Sequence, residues 1–424
     1  MRIRLDYDRD GLEVTLPDRN VAVLRMNPSE PLRDARRTTA EALAAPIGSK
    51  PLGDLARGKR TACVVVSDVT RPVPNRDILP PLLAALERSG IKREAITLLV
   101  ATGLHRPNEG AELAEMVGED LARSYRFVNH FAKIPKSHKY LGDTARGTPA
   151  FVDKVYLEAD LKITTGLLEP HLMAGYSGGR KSICPGIAGL ETVRVWHGPK
   201  YLESPNAVNG NLVDNLVHEE SLAIAKMAGV DFIVNAVLNE KRRTIGIFAG
   251  HLEAAFEAGV RLTDRVVKAK LDAPADIVVT SSAGYPLDTT WYQSVKGLVG
   301  AMPAVKKGGT IIMAVGLRDG VGSPEFTRLA LETRSLDEFM DQIVNQGRFV
   351  IDQWQLEEMA KVKQHADVMV FTHGLPKETL RKLFLEPVDS VEDGIERALA
   401  KHGRDARIAV IPKGPYVIPV IGNG

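Results

Sequence analysis

Residues 169–198 of this 424-residue chain read EPHLMAGYSGGRKSICPGIAGLETVRVWHG, and they concentrate reactive side chains. His171, Lys181 and His197 fall within thirty positions, with Ser177, Gly178 and Gly179 just ahead of the lysine. Glycines let backbone approach a ligand closely, because no Cβ intervenes. Lys181 follows Arg180, whose permanent charge lowers the proton affinity of a neighbouring amine and favours the nucleophilic form. Histidines act as bases, acids or metal ligands near neutral pH. The stretch is suited to holding a small reactive group. It is not a nucleotide phosphate loop, since that pattern needs glycine directly before the lysine and Arg180 stands there.

Three further segments carry groups of the same kind. SDVTRP supplies Asp68 and Arg71, whose planar fork suits a carboxylate or phosphate. ATGLHRP supplies His105, and WYQSVKG supplies Tyr292, Gln293 and Lys296, a phenol, an amide and a cation that suit a substrate carboxylate. The bland alternatives are a capped turn for the first, a structural histidine for the second and a surface helix for the third. For His197 the alternative is a helix-end histidine interacting with the dipole. The remaining histidines, 130, 138, 218, 251, 365, 373 and 402, lack such surroundings and are expected to be structural or solvated. Cys184 is expected to pack rather than react.

These segments need strands and helices to hold them. Buried-strand runs occur at 63–67 (CVVVS), 95–101 (AITLLVA), 161–165 (LKITT) and 231–238 (DFIVNAVL). Leucines 79, 82, 83 and 86 share one helical face between the first two, giving a strand–helix–strand unit and hence a parallel sheet. SDVTRP, ATGLHRP and the 169–198 stretch each follow such a strand, so all three should emerge at one sheet edge. A helix is expected at about 252–270, ahead of a boundary at Asp272-Ala273-Pro274. A second series follows at 276–281, 310–315, 367–371 and 407–411, with a capping box opening a helix at Ser335. The expected fold is therefore α/β: two α/β domains, 1–270 and 275–424, with mainly parallel sheets and an active-site cleft between them. The first domain would carry the acid/base histidines and Lys181, the second the substrate-binding residues. The N-terminus reads as a strand and hairpin.

Composition narrows the class. Apolar content is 44%, charged content 25% and net charge +2, which point to neither nucleic acid nor an anionic membrane. No apolar run is long enough for a bilayer span. Two cysteines, Cys63 and Cys184, are too few for a disulfide framework, and the expected compartment is the reducing cytoplasm.

Taken together, DVTRP, ATGLHRP, EPHLMAGYSGGRKSICPGI, WHG and YQSVKG resemble the nickel-pincer lactate racemase family, in order and across both halves of the chain. The resemblance implies a 2-hydroxy acid racemase or epimerase with a nickel-pincer nucleotide, pyridinium-3-thioamide-5-thiocarboxylic acid mononucleotide with Ni2+. Lys181 would tether it covalently and His197 would be the protein's nickel ligand. His105 and His171 would be the paired acid/base groups. Arg71, Gln293 and Lys296 would bind substrate, Tyr292 would neighbour them, and Asp68 with Ser177, Gly178 and Gly179 would border the cofactor. Separate biosynthesis proteins would load it. The chemistry is coherent: hydride transfer avoids a carbanion beside a carboxylate, and two bases on opposite faces serve two enantiomers. Imidazole is a suitable nickel ligand, and a glycine turn can seat a phosphate. Two other classes stay open: a zinc hydrolase built on His105, His171 and His197, and a non-enzymatic accessory protein of the same fold.

Overall fold

The computed structural model describes residues 1–422, which divide into two compact units, Pro28–Val266 and a second made of Met1–Asn27 with the described residues from Val267 onward. The first 27 residues thus join the C-terminal unit rather than the expected 1–270 domain. The physical reason is a strand too short to show any period: Val21–Val23 pairs in parallel with Ile408–Ile411.

In the Pro28–Val266 unit six strands form one sheet in the order Thr244–Gly250, Phe232–Leu238, Leu161–Leu167, Ala62–Ser67, Ile96–Ala101, Arg126–Asn129. All neighbours are parallel except the hairpin that adds Thr244–Gly250. Val64 lies opposite both Leu98 and Ile163 at the centre of the sheet. Such strands are covered on both faces, which is why they read as unbroken apolar runs. The helix Asn75–Arg88 buries Ile78, Leu79, Leu82, Leu83 and Leu86. It contains Pro80, which has no N–H for the carbonyl of Arg76. Arg36 Nε donates to that carbonyl instead, at 2.9 Å. The helix expected at 252–270 runs Ala254–Val267, and its last residues become the strand Lys268–Leu271, which pairs with Ile418–Ile421.

The other unit holds a six-stranded parallel sheet in the order Glu386–Pro387, Asp367–Phe371, Val305–Ala314, Ala275–Ser281, Ile408–Ile411, Val21–Val23. Arg2–Leu5 and Leu12–Thr15 form the antiparallel N-terminal hairpin. The helix Leu336–Val344 starts where the capping box placed it, with Ser335 Oγ accepting from the Glu338 amide. The segment WYQSVKG opens the helix Trp291–Ala301, which is largely buried and not the surface helix of the bland reading. A Cβ on Gly297 would stand 2.5 Å from the carbonyl oxygen of Ser281, so only glycine lets this helix approach the sheet so closely. Among the described residues no helix is long and apolar enough to cross a membrane.

Candidate active site

Three loops leave the carboxyl ends of adjacent parallel strands in the Pro28–Val266 unit. Asp68 follows Ala62–Ser67 directly and is buried. Its Oδ1 accepts from the amide and hydroxyl of Thr70, at 3.2 and 2.6 Å, and its Oδ2 meets His105 Nδ1 at 2.6 Å. Burial pushes the Asp68 carboxyl up, but His105, Thr70 and Arg71 together hold it below the usual carboxylate range. An ionised carboxylate accepts the hydrogen bond from Nδ1–H, which leaves His105 Nε2 as the basic nitrogen. Asp68 thus holds His105 by its ring nitrogen, and its carboxylate keeps acceptor capacity beyond these contacts. Arg71 Nη1 pairs with Glu169 at 2.9 Å. A guanidinium has five donors, so this contact anchors one corner of the fork.

The 169–198 stretch begins with a miniature hairpin in which His171 faces Gly175. His171 Nδ1 accepts from the amides of Met173 and Ala174, at 3.4 and 3.2 Å. That pattern assigns the proton to Nε2, the opposite arrangement to His105. Gly178 and Gly179 adopt φ of +81° and +51°, and a Cβ on either would come within 3 Å of Asn235, Leu168 or Phe256. Asn235 Oδ1 accepts from the Gly179 amide at 3.2 Å, and Ser177 Oγ is buried without a hydrogen-bond partner. Arg180 and Lys181 then diverge. Arg180 is buried over the Phe256 ring and donates to the Ala174 carbonyl at 2.7 Å. Lys181 Nζ lies 4.7 Å from the centroid of Trp196. The helix Leu190–Trp196 ends with His197 at its C-cap, packed on the same indole at 4.3 Å between centroids. Burial, then the charges of Lys181 and His105, hold His197 well below the usual imidazole range. Its neutral form is therefore favoured over a cation serving the helix dipole. Cys184 is buried and its thiol is pushed up to about 12, which leaves it inert at neutral pH.

These residues fit the implied cofactor by their donor chemistry. A neutral imidazole and a primary amine share one indole, beside a glycine turn with a buried, unpartnered hydroxyl. Lys181 and His105 both lie within electrostatic reach of His197. By contrast His105, His171 and His197 do not form a close three-donor metal set among the described residues.

The other predicted residues lie together on the helix Trp291–Ala301 in the second unit. Lys296 Nζ donates to Gln293 Oε1, and Tyr292 OH accepts from Trp354 Nε1 at 2.8 Å. The helix Gln353–His365 supplies this support with a buried polar row of Gln353, Gln355, Glu357 and Glu358. Sequence reasoning missed that row, and it missed Glu169, Trp196 and Asn235. The nearest signal was Glu169, a carboxylate two residues before His171 in a strand-end loop.

Residues 7–210 match the lactate racemase N-terminal domain and residues 270–419 the lactate racemase C-terminal domain. The chain belongs to the lactate racemase family. It is 37% identical to the lactate racemase of Lactiplantibacillus plantarum, over 98% of this chain and 99% of the relative. It is 35% identical to that of Thermoanaerobacterium thermosaccharolyticum, over 98% of each. The solved lactate racemase apoprotein from T. thermosaccharolyticum superposes with a TM-score of 0.92 at 34% identity, covering 99% of this chain and all of that one. A Thermotoga maritima protein shares the fold, with a TM-score of 0.74 at 19% identity over 93% of this chain and all of its own. The family is one of isomerases, which removes the hydrolase and accessory-protein readings.

Buried neutral histidines make the stability of this family member pH-dependent. His218 stacks on Phe256, and burial followed by the charge of Arg180 pushes it down to about 3. Unfolded imidazoles titrate near 6.5, so below that pH the unfolded chain binds protons that His197 and His218 refuse. Stability is unaffected above about 6.5 and falls below it, at up to about 1.4 kcal/mol per pH unit for each group. Urea unfolding of the cofactor-free protein should show a loss of roughly 2–3 kcal/mol between pH 7 and 5.5. His218→Gln should remove about half of that dependence. A flat profile would show that these imidazoles are protonated in the folded state.

Proposed function

We propose that this chain inverts C2 of a 2-hydroxy acid, lactate or a related acid, using a nickel-pincer mononucleotide tethered to Lys181 and ligated by His197. The observation that carries the reading is the pair of histidines set in opposite tautomers by their surroundings, together with Lys181 and His197 on one indole. When bound, the cofactor supplies a hydride acceptor, so that the Cα–H leaves as hydride and no carbanion forms beside the carboxylate.

The chain's own residues do the rest. His105 Nε2, backed by the Asp68 carboxylate, takes the hydroxyl proton of one enantiomer. His171 Nε2 carries a proton and returns one on the other face; the roles exchange for the opposite enantiomer. Arg71, held at one corner by Glu169, binds the substrate carboxylate, and Gln293 and Lys296 are assigned the same task. The turn of Ser177, Gly178 and Gly179 seats the mononucleotide phosphate through a hydroxyl and amides. Trp196 keeps Lys181 and His197 in fixed relation. The cofactor comes from a separate biosynthetic route and its loading proteins, and the protein works in the cytoplasm.

The test is isotopic. Lactate deuterated at C2, racemised in ordinary water by cofactor-loaded protein, should give inverted product that keeps its deuterium. The rate should also fall to the extent that C–H cleavage limits it. Histidine-bound protons exchange with water, so washout of label into early product would overturn the hydride reading and leave His105 and His171 as bases acting on carbon.

A further inference from the structure

A second cluster, outside the residues assigned above, gathers two histidines expected from sequence to be structural or solvated. His130, His138 and Asp153 are all buried, and one donor atom from each lies within 4.8 Å of the others. The atoms not facing the cluster are already engaged by backbone. His130 Nε2 donates to the Ala188 carbonyl at 3.0 Å. His138 hydrogen-bonds the backbone of Ile134. Asp153 Oδ1 accepts from the Val155 amide at 2.9 Å. Each partner fixes a tautomer or rotamer that turns the other donor inward, the outer-shell pattern that orients metal-ligating imidazoles and carboxylates.

His130 Nδ1 and Asp153 Oδ2 lie 2.8 Å apart, and the third donor assigned here is His138 Nε2, the nitrogen of that ring left for a ligand. His138 Nε2 is buried with no hydrogen-bond partner, in a residue only 6% exposed. The two rings meet edge to face, 5.1 Å between centroids, so His130 offers that nitrogen no hydrogen bond. Burial lowers the proton affinity of His138, which favours the neutral, ligating form.

We propose that His130 Nδ1, His138 Nε2 and Asp153 Oδ2 form a structural site for a divalent ion of zinc type, separate from the nickel ligand His197. The ion replaces the proton shared by His130 and Asp153, releases it to solvent, and gives His138 Nε2 its partner. Two imidazoles and one carboxylate suit zinc, with water as the fourth ligand. A tetrahedral ion bound at about 2.0–2.1 Å needs donors about 3.3 Å apart, and the present donors lie within 4.8 Å of one another. The site also has a mechanical consequence. Asp153 N donates to Ile187 O, Gly103 N to Gly186 O, and Thr102 Oγ1 to the His130 carbonyl. An ion here ties the chain between Lys181 and His197 to the loop that carries His105.

The experiment uses the full-length His197→Ala protein, stripped by chelator, so that the nickel ligand cannot contribute. It is titrated with Co2+ and with Zn2+. One equivalent should bind tightly, with the visible spectrum of a low-coordinate Co2+ site. His138→Phe, which keeps the ring and removes the nitrogens, should weaken binding by at least ~100-fold, the upper end of what loss of an outer-shell partner alone costs. Absence of stoichiometric binding in His197→Ala, or equal affinity after His138→Phe, overturns the proposal. Should His138→Phe fail to fold, X-ray absorption at the zinc edge of the His197→Ala protein decides. Two imidazoles with oxygen ligands support the site; sulfur ligands or fewer than two imidazoles refute it.

Discussion

Lys181→Ala should give a folded protein with no cofactor adduct in its intact mass and no racemase activity. Lys181 is only partly buried, and its amine rests over Trp196 rather than filling the core, so its removal costs the fold little. The circular dichroism spectrum should be unchanged. What disappears is the amine, positioned beside a neutral imidazole and a glycine turn that already excludes competing side chains. His197→Ala should separate the two functions of this corner: nickel content falls while the lysine remains. A Lys181→Ala protein with full activity and no adduct would sink the tether. Unchanged nickel in His197→Ala would reassign the ligand.

The second large effect concerns the histidine pair. His105→Asn and His171→Asn should each retain nickel and the adduct, yet lose racemisation from both enantiomers by about 10²–10⁴-fold, the usual contribution of a positioned acid or base. A complete inversion uses one ring to take the proton and the other to return it. Loss in a single direction only, measured as initial rates from each pure enantiomer, would show that the two rings do not share the work. Asp68→Asn should resemble a weaker His105→Asn. It removes the carboxylate that sets the His105 tautomer at 2.6 Å while leaving the imidazole in place.

Much of this site could be read from local pattern. The runs CVVVS, AITLLVA and LKITT are strands because fully buried parallel strands need apolar residues at every position. The loops after them therefore share one edge, whatever their sequences. Gly178 and Gly179 could be read as a close backbone approach, and each adopts positive φ with a Cβ excluded by its neighbours. Ser335 marked a helix start because its hydroxyl satisfies an amide three residues on. The order of the chemical motifs was enough to suggest the family.

Pairings between distant segments were not legible. Asp68 and His105 are 37 residues apart, and Arg71 meets Glu169 across nearly a hundred. Both contacts exist because strand order sets which loops are neighbours, and strand order leaves no trace in local periodicity. Trp196 looked like one more apolar helix residue until the tertiary structure placed Lys181 and His197 against it. His130 and His138 had no clustered context along the chain, because the carboxylate that completes their group lies on another strand. Val21–Val23 is too short to signal a partner, and only the C-terminal sheet, whose strand Ile408–Ile411 would otherwise be an unpaired edge, decided which unit the N-terminus completes.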